Sequence, residues 1–256
     1  MEKTVIALAG KGGVGKTSIA AAIVRELVRS YPKARILAID ADPAVGLETA
    51  LGVHAQYTLD DVRKDIVAAG EGSREKKRAL ELLGESRFRV LNAMVETDGF
   101  AFIAVGRPEA AGCYCSVNAY LREVISALAD EFDFVVIDGE AGVEQINRRV
   151  MEKVTHLVLV TDPSKKGTQV VQTVRRVADE LTMYQKCGVI VNRMNDEALR
   201  PLLDLGDLPL LACIPDDPAH ARADVEGRSV WDLPENSPLA NGVRGALQAL
   251  DISVRN

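Results

Sequence analysis

Val5-Ile6-Ala7-Leu8-Ala9 runs straight into Gly10-Lys11-Gly12-Gly13-Val14-Gly15-Lys16-Thr17, and a helical pattern follows. The five apolar residues read as a strand buried on both faces, because such a strand shows a continuous apolar run instead of alternation. Beyond the glycines, Ile19, Ile23 and Leu27 with Ala20, Val24 and Val28 recur at helical spacing on one face. A strand, a glycine-rich turn and an amphipathic helix are the context in which G-x-x-x-x-G-K-T forms a phosphate-binding loop. The glycines let the backbone curl so that successive N–H groups aim at phosphate oxygens, and the helix N-terminus adds its positive end. On this reading Lys16 pairs with the β- and γ-phosphates of ATP and Thr17 joins the Mg2+ shell. Gly12, Gly13, Val14, Gly15 and Ser18 complete the cradle.

The rest of the chain repeats the same alternation. Ile36-Leu37-Ala38-Ile39 reads as a strand ending at Asp40, and Phe134-Val135-Val136-Ile137 as another ending at Asp138. Further strands are expected at 88–94, 100–105, 157–160 and 189–191, with helices at about 117–131 and 165–182. The stretch 58–85 is charged and helical, and its run Lys76-Lys77-Arg78 reads as a solvated face. The last 45 residues alternate prolines with short helices. The pattern predicts an α/β fold: one domain over 1–256, a mostly parallel sheet flanked by helices.

Composition narrows the function. With 47% apolar residues in 256, the chain is too hydrophobic for disorder. A net charge of −6 argues against holding nucleic acid by bulk charge. Neither a signal-peptide core nor an apolar run of about 20 residues occurs, so a cytoplasmic protein without a membrane span is expected. Four cysteines are too few for a disulfide scaffold.

Acidic residues stand where strands end, at the edge where open α/β sheets take ligands. Asp40, with Asp42 two residues on and just before Pro43, is a candidate to bind the Mg2+ shell and orient an attacking water, and Asp138 is a further Mg2+ candidate. Asn192 and Arg193 end a strand, and an asparagine amide offers the donor and acceptor that adenine needs. Ile214-Pro215-Asp216 resembles the second wall of an adenine pocket.

Lysine directly after the first glycine, in KGGVGKT, resembles the deviant phosphate loop of the MinD, partition-ATPase and nitrogenase-iron-protein superfamily. That resemblance implies a P-loop NTPase fold of the SIMIBI, MinD-like kind, a homodimer, and a Lys11 that reaches the partner's nucleotide during hydrolysis. It assigns Lys11, Lys16 and Asp42 to catalysis and a Gly142 amide to the γ-phosphate. Gly112-Cys113-Tyr114-Cys115 and Asp138-Gly139-Glu140-Ala141-Gly142-Val143-Glu144 carry the likeness further, because this chain resembles the CooC-type ATPases that help insert nickel into carbon monoxide dehydrogenase. Where that family often continues with a histidine and an Arg-Gly pair, this chain has Gln145 and Arg148-Arg149.

Cys113 and Cys115 supply half of a tetrahedral thiolate shell, and a two-fold axis through the pair would complete it with Ni2+ or Zn2+. Cys187 and Cys213 lie in or near apolar strands and read as core residues; His54, His156 and His220 stand singly. An iron–sulfur or electron-transfer ATPase like the nitrogenase iron protein is the alternative, although the helix-side segment directly after Asp138 has no cysteine. A positioning ATPase of the MinD type is a third reading, and the tail Val243 to Asn256 lacks the lysine-rich apolar face of a membrane anchor.

Overall fold

The structure, a computed structural model, describes residues 3–42, 46–68, 88–106, 115–139, 142–143, 146–147, 150, 152–181 and 183–255. The first half is built from β1 (Thr4–Gly10), α1 (Lys16–Ser30), β2 (Ile36–Asp40), α2 (Gly46–Leu51), α3 (Leu59–Ala68), β3 (Val95–Glu96) and β4 (Ala101–Ala104). The second half adds α4 (Cys115–Ala129), β5 (Phe134–Asp138), β6 (His156–Thr161), α5 (Lys165–Glu180), β7 (Lys186–Asn192), β8 (Leu210–Ile214), α6 (Pro218–Val225) and α7 (Pro238–Ala249). Among the described residues one eight-stranded sheet has the order β3-β4-β2-β5-β1-β6-β7-β8, and only β3 runs antiparallel to its neighbour.

The alternation of β1 divides the core. Val5, Ala7 and Ala9 face one cluster with Val124 and Ile125 of α4 and Val171 and Val174 of α5. Ile6 and Leu8 face the other, with Ile19, Ile23 and Leu27 of α1 and Leu239 and Val243 of α7. Both faces are dry, which is why the strand sequences are continuous apolar runs. Each fully buried aliphatic side chain contributes about 1.5–3 kcal/mol, so α1 is held to the sheet by packing more than by helix propensity.

Three expectations need correcting. Residues 88–92 are helical, and the strand beyond them is only Val95–Glu96. Val90 and Ala93 are buried while Phe88 and Leu91 are exposed, a three-residue spacing that suits a helical turn and not a half-buried strand. Leu210–Ile214 forms β8, where the sequence reading had only the start of a pocket wall. Cys187 and Cys213 lie in β7 and β8, half-buried at the margin of the core and not inside it. The charged stretch is helical over Leu59–Ala68; its basic run lies outside the described residues.

A buried ion cluster ties the C-terminal helix to the phosphate-loop helix. Glu26 of α1 accepts from Arg244 of α7 at 3.1 Å and lies 3.6 Å from Arg25, whose other guanidinium nitrogen donates to the Leu233 carbonyl at 2.7 Å. Burial pulls the Arg25 pKa below its ordinary value, and Glu26 opposes that shift. Removing one partner from such a cluster strands the charges left behind. Arg244→Ala is therefore expected to lower the unfolding free energy by about 3–5 kcal/mol, read by urea denaturation, whereas Arg222→Ala on the exposed face of α6 changes it by less than about 1 kcal/mol.

Candidate nucleotide site

The phosphate loop leaves β1 at Gly10, where a Cβ would sit 2.2 Å from the Val160 carbonyl oxygen of β6. No other residue fits there, and Gly10 also has φ 135°. The neighbouring Lys11 N–H donates to that same carbonyl at 3.2 Å. Gly13 and Gly15 take positive φ values of 74° and 91°, curling the loop before α1 begins at Lys16. Gly12 and Gly13 stand exposed with open space beside them, and the Val14 side chain anchors in the core. Lys16 is buried and folds its ammonium onto the Lys11 carbonyl at 3.2 Å, a weak bond that a phosphate oxygen can replace.

Parallel register brings the acids beside the loop. Asp40 on β2 pairs with Asp138 on β5, and Asp138 pairs with Leu8 on β1, so the three strand ends lie side by side. Asp40 is fully buried; its carboxylate accepts from the Leu47 N–H at 2.8 Å and the Asp42 N–H at 3.1 Å. Burial still pushes its pKa up to about 6. Asp138 is also fully buried, and neither of its oxygens completes a hydrogen bond of good geometry among the described residues. Burial raises its pKa to about 7, Asp40 adds to the rise, and the Thr17 hydroxyl and Lys16 oppose it. Two buried carboxylates, one of them unsatisfied, with a hydroxyl close by form an all-oxygen set that fits Mg2+.

Lys11 pairs with Asp162 and lies 3.4 Å from the Ser164 hydroxyl. Burial raises the Asp162 pKa, but Lys11 and two hydrogen bonds from Ser164 outweigh it and hold the acid below its ordinary value. The sequence reading missed this partner. Asp162-Pro163 ends β6 just as Asp42-Pro43 follows β2, and that repeat is the signal that could have found it.

Asn192, Arg193, Pro215 and Asp216 converge with Gly15 and Ser18 on a cavity of about 450 Å³. Asp216 is fixed by a reciprocal pair, accepting from the Asn195 amide at 2.6 Å and donating its N–H to the Asn195 oxygen at 2.8 Å. Asn192 donates to the Val14 carbonyl at 2.7 Å. Gly142 lies beyond β5 among the described residues, whereas Glu140 and Ala141 lie outside them. Cys113 also lies outside the described residues; Cys115 opens α4, and its side chain is not described. Among the described residues no cluster of three His, Cys, Asp or Glu side chains could hold a metal.

A phosphate loop on a parallel sheet, with buried acids at the neighbouring strand ends, defines a nucleotide-binding P-loop ATPase. Residues 5–230 match the CobQ/CobB/MinD/ParA nucleotide binding domain, and the chain belongs to that family. It is 36% identical over 241 residues to an uncharacterized ATP-binding protein of Methanocaldococcus jannaschii, covering 92% of this chain and 93% of that one. It is 32% identical over 259 residues to the carbon monoxide dehydrogenase accessory protein CooC of Rhodospirillum rubrum, covering 95% and 94%. Its fold superposes on the septum site-determining protein MinD of Pyrococcus horikoshii, complexed with Mg-ADP, with a TM-score of 0.69, 25% identity, and coverage of 98% and 96%.

Two outcomes follow. Lys16→Ala is expected to weaken ATP binding about 100-fold, measured by calorimetry, because charge-assisted bonds to two phosphates are lost. Asp138 holds its proton to about pH 7 when folded and to 3.8 by its ordinary value. As pH rises between those values the unfolded chain releases a proton that the folded protein retains, so ligand-free stability falls. In nucleotide-free protein, Asp138→Asn is expected to melt above wild type at about pH 8, with the gap closing toward about pH 4.

Proposed function

We propose that the chain is a metal-handling ATPase of the CooC type, in which ATP drives a homodimer that binds Ni2+ or Zn2+ between two Cys113–Cys115 pairs and delivers it to a nickel enzyme. The observation that carries this reading is where the cysteine-bearing segment is rooted. Val105, just past β4, donates its N–H to the Asp40 carbonyl at 2.8 Å, and its own carbonyl accepts from the Asp60 N–H at 3.0 Å. Val105, eight positions before Cys113 in the sequence, is therefore held by the backbone of the residue whose carboxylate borders the phosphate loop. Supporting it, the CooC relative matches nearly the whole chain.

Within the site, Lys16 holds the β- and γ-phosphates, while Thr17, Asp40 and Asp138 would hold Mg2+, which would neutralise charge on the phosphates. Asp42 orients the attacking water. Lys11 leaves Asp162, crosses to the partner's nucleotide and offsets charge developing on the γ-phosphate. Gly142 offers an amide to that phosphate. Asn192, Arg193, Pro215 and Asp216 enclose the base. Nickel is cargo: closure assembles four thiolates, and hydrolysis separates them. By linkage, ATP tightens metal binding by the same factor by which metal tightens the ATP-bound dimer. A reducing cytosol keeps the thiols available, and no helix among the described residues is long and apolar enough to cross a membrane.

The test is a Ni2+ titration with and without a non-hydrolysable ATP analogue, with oligomeric state followed by light scattering. One ion per two chains, bound more tightly with nucleotide and lost in Cys113→Ala/Cys115→Ala, is the expected result. If that double variant still binds one ion per two chains, the reading fails. Acid-labile sulfide in anaerobically purified protein would favour an iron–sulfur role. A cytosolic Fe-S cluster assembly factor NUBP2 homolog of Trichoplax adhaerens, 25% identical over 285 residues, gives that outcome its interest.

A further inference from the structure

Asn192 touches two parts of the site at once. It ends β7, where it pairs with Ile214 of β8, and the chain turns away through Arg193 at φ 59°. Met194 then donates its N–H to the Ile214 carbonyl at 2.9 Å, so Asn192 sits on a fixed strand end. From there its side-chain nitrogen spans 178 positions of sequence to donate to the Val14 carbonyl at 2.7 Å. A carbonyl only accepts, so the nearer side-chain atom must be the amide nitrogen. The same residue borders the cavity of about 450 Å³ beside Pro215 and Asp216.

The phosphate loop has few other supports on this side. Gly12 and Gly13 are exposed and, among the described residues, have nothing within 4 Å of where a Cβ would lie. The loop's first part is tied to β6 through the Lys11 N–H. Its last part is tied through Val14: the side chain is buried, and the carbonyl is held by Asn192. A trans peptide is planar, with its C=O and N–H directed oppositely. Fixing the Val14 carbonyl toward Asn192 therefore turns the Gly15 N–H away from Asn192. Gly15 itself must lack a side chain, since a Cβ would lie 2.7 Å from the Asn192 nitrogen at φ 91°.

We infer that Asn192 is a positioning residue for the phosphate loop as well as a wall of the base cavity, orienting the Gly15 N–H toward the phosphates of the bound nucleotide. The amide has two hydrogens. One is committed to Val14, and the other, with the side-chain oxygen, remains for a base. Base occupancy and loop geometry are thereby linked through one rigid side chain. The inference rests on the nucleotide site proposed above, not on the nickel assignment.

Inorganic tripolyphosphate, which has no base, separates the two roles. Binding of Mg-ATP and of Mg-tripolyphosphate is measured by calorimetry on wild type, Asn192→Ala, Asn192→Gln and Gly15→Ala, with thermal melts to verify folding. Asn192→Ala is expected to bind tripolyphosphate about 5–10-fold more weakly, the loss of one hydrogen bond that fixes the loop. Asn192→Gln keeps a donor within reach of Val14 and recovers tripolyphosphate binding without recovering the wild-type preference for ATP over GTP. Gly15→Ala reproduces the tripolyphosphate deficit. Equal tripolyphosphate affinity in wild type and Asn192→Ala, with ATP alone weakened, would overturn the inference and leave Asn192 a base reader. Failure of wild type to bind either ligand would instead overturn the nucleotide site, and this assignment with it.

Discussion

The parallel pairing of β1 with β5 on one side and β6 on the other is the constraint on which the site depends. Leu8 opposite Asp138, Asp40 opposite Asp138 and Gly10 opposite Val160 are successive consequences of one register. Both faces of these strands are buried, so a one-residue slip would send every side chain to the wrong cluster. The register is thus fixed by packing far from the nucleotide, in the apolar interior of the sheet. What packing fixes, chemistry uses: two acids and a phosphate loop emerge at one edge without any of them stabilising the arrangement.

Burial at that edge has a cost. Asp40 and Asp138 are wholly shielded from water, and their pKa values of about 6 and about 7 report the penalty on the charged forms. Lys16, the nearest cation, spends its ammonium on a loop carbonyl. Such a set of imperfectly satisfied groups is what a site for polyphosphate and a divalent cation requires, since the ligand supplies the missing partners. The stability given up here is supplied elsewhere, by the two apolar clusters and by the arginine–glutamate cluster that joins α1 to α7.

The sequence made the central strands legible because doubly buried strands need continuous apolar runs, and made the phosphate loop legible because its glycines meet backbone demands that other residues cannot. The margin of the sheet was harder. At 88–94 the apolar residues fit alternation loosely, and only the burial of Val90 and Ala93 reveals a helical turn ahead of a two-residue strand. Pairings across long sequence separation were invisible. Lys11 finds Asp162 at a distance of 151 positions, with only the repeated Asp-Pro at the strand end to hint at it, and Asn192 finds Val14 at 178 with no local signature of its partner. Asn192 could be read from its strand end as a base contact, but its hold on the loop emerges only when β7 and the loop are placed together.

Asp40 joins these threads. Its carboxylate accepts from Leu47 and Asp42, on the stretch that carries the water-orienting candidate, while its main-chain carbonyl accepts from Val105, where the cysteine-bearing segment begins. Burial works against the charged form of Asp40 and a bound Mg-nucleotide would favour it, and an ionised carboxylate accepts stronger hydrogen bonds than a neutral one. The Asp42 and Leu47 N–H groups would then be held more firmly on one side of Asp40. The peptide that anchors Val105 belongs to the same residue, so tightening one side of Asp40 limits the movement of the other. In the proposed metal-handling cycle, the end of β2 would couple nucleotide state, through one hydrogen bond to Val105, to the chain that leads on to Cys113.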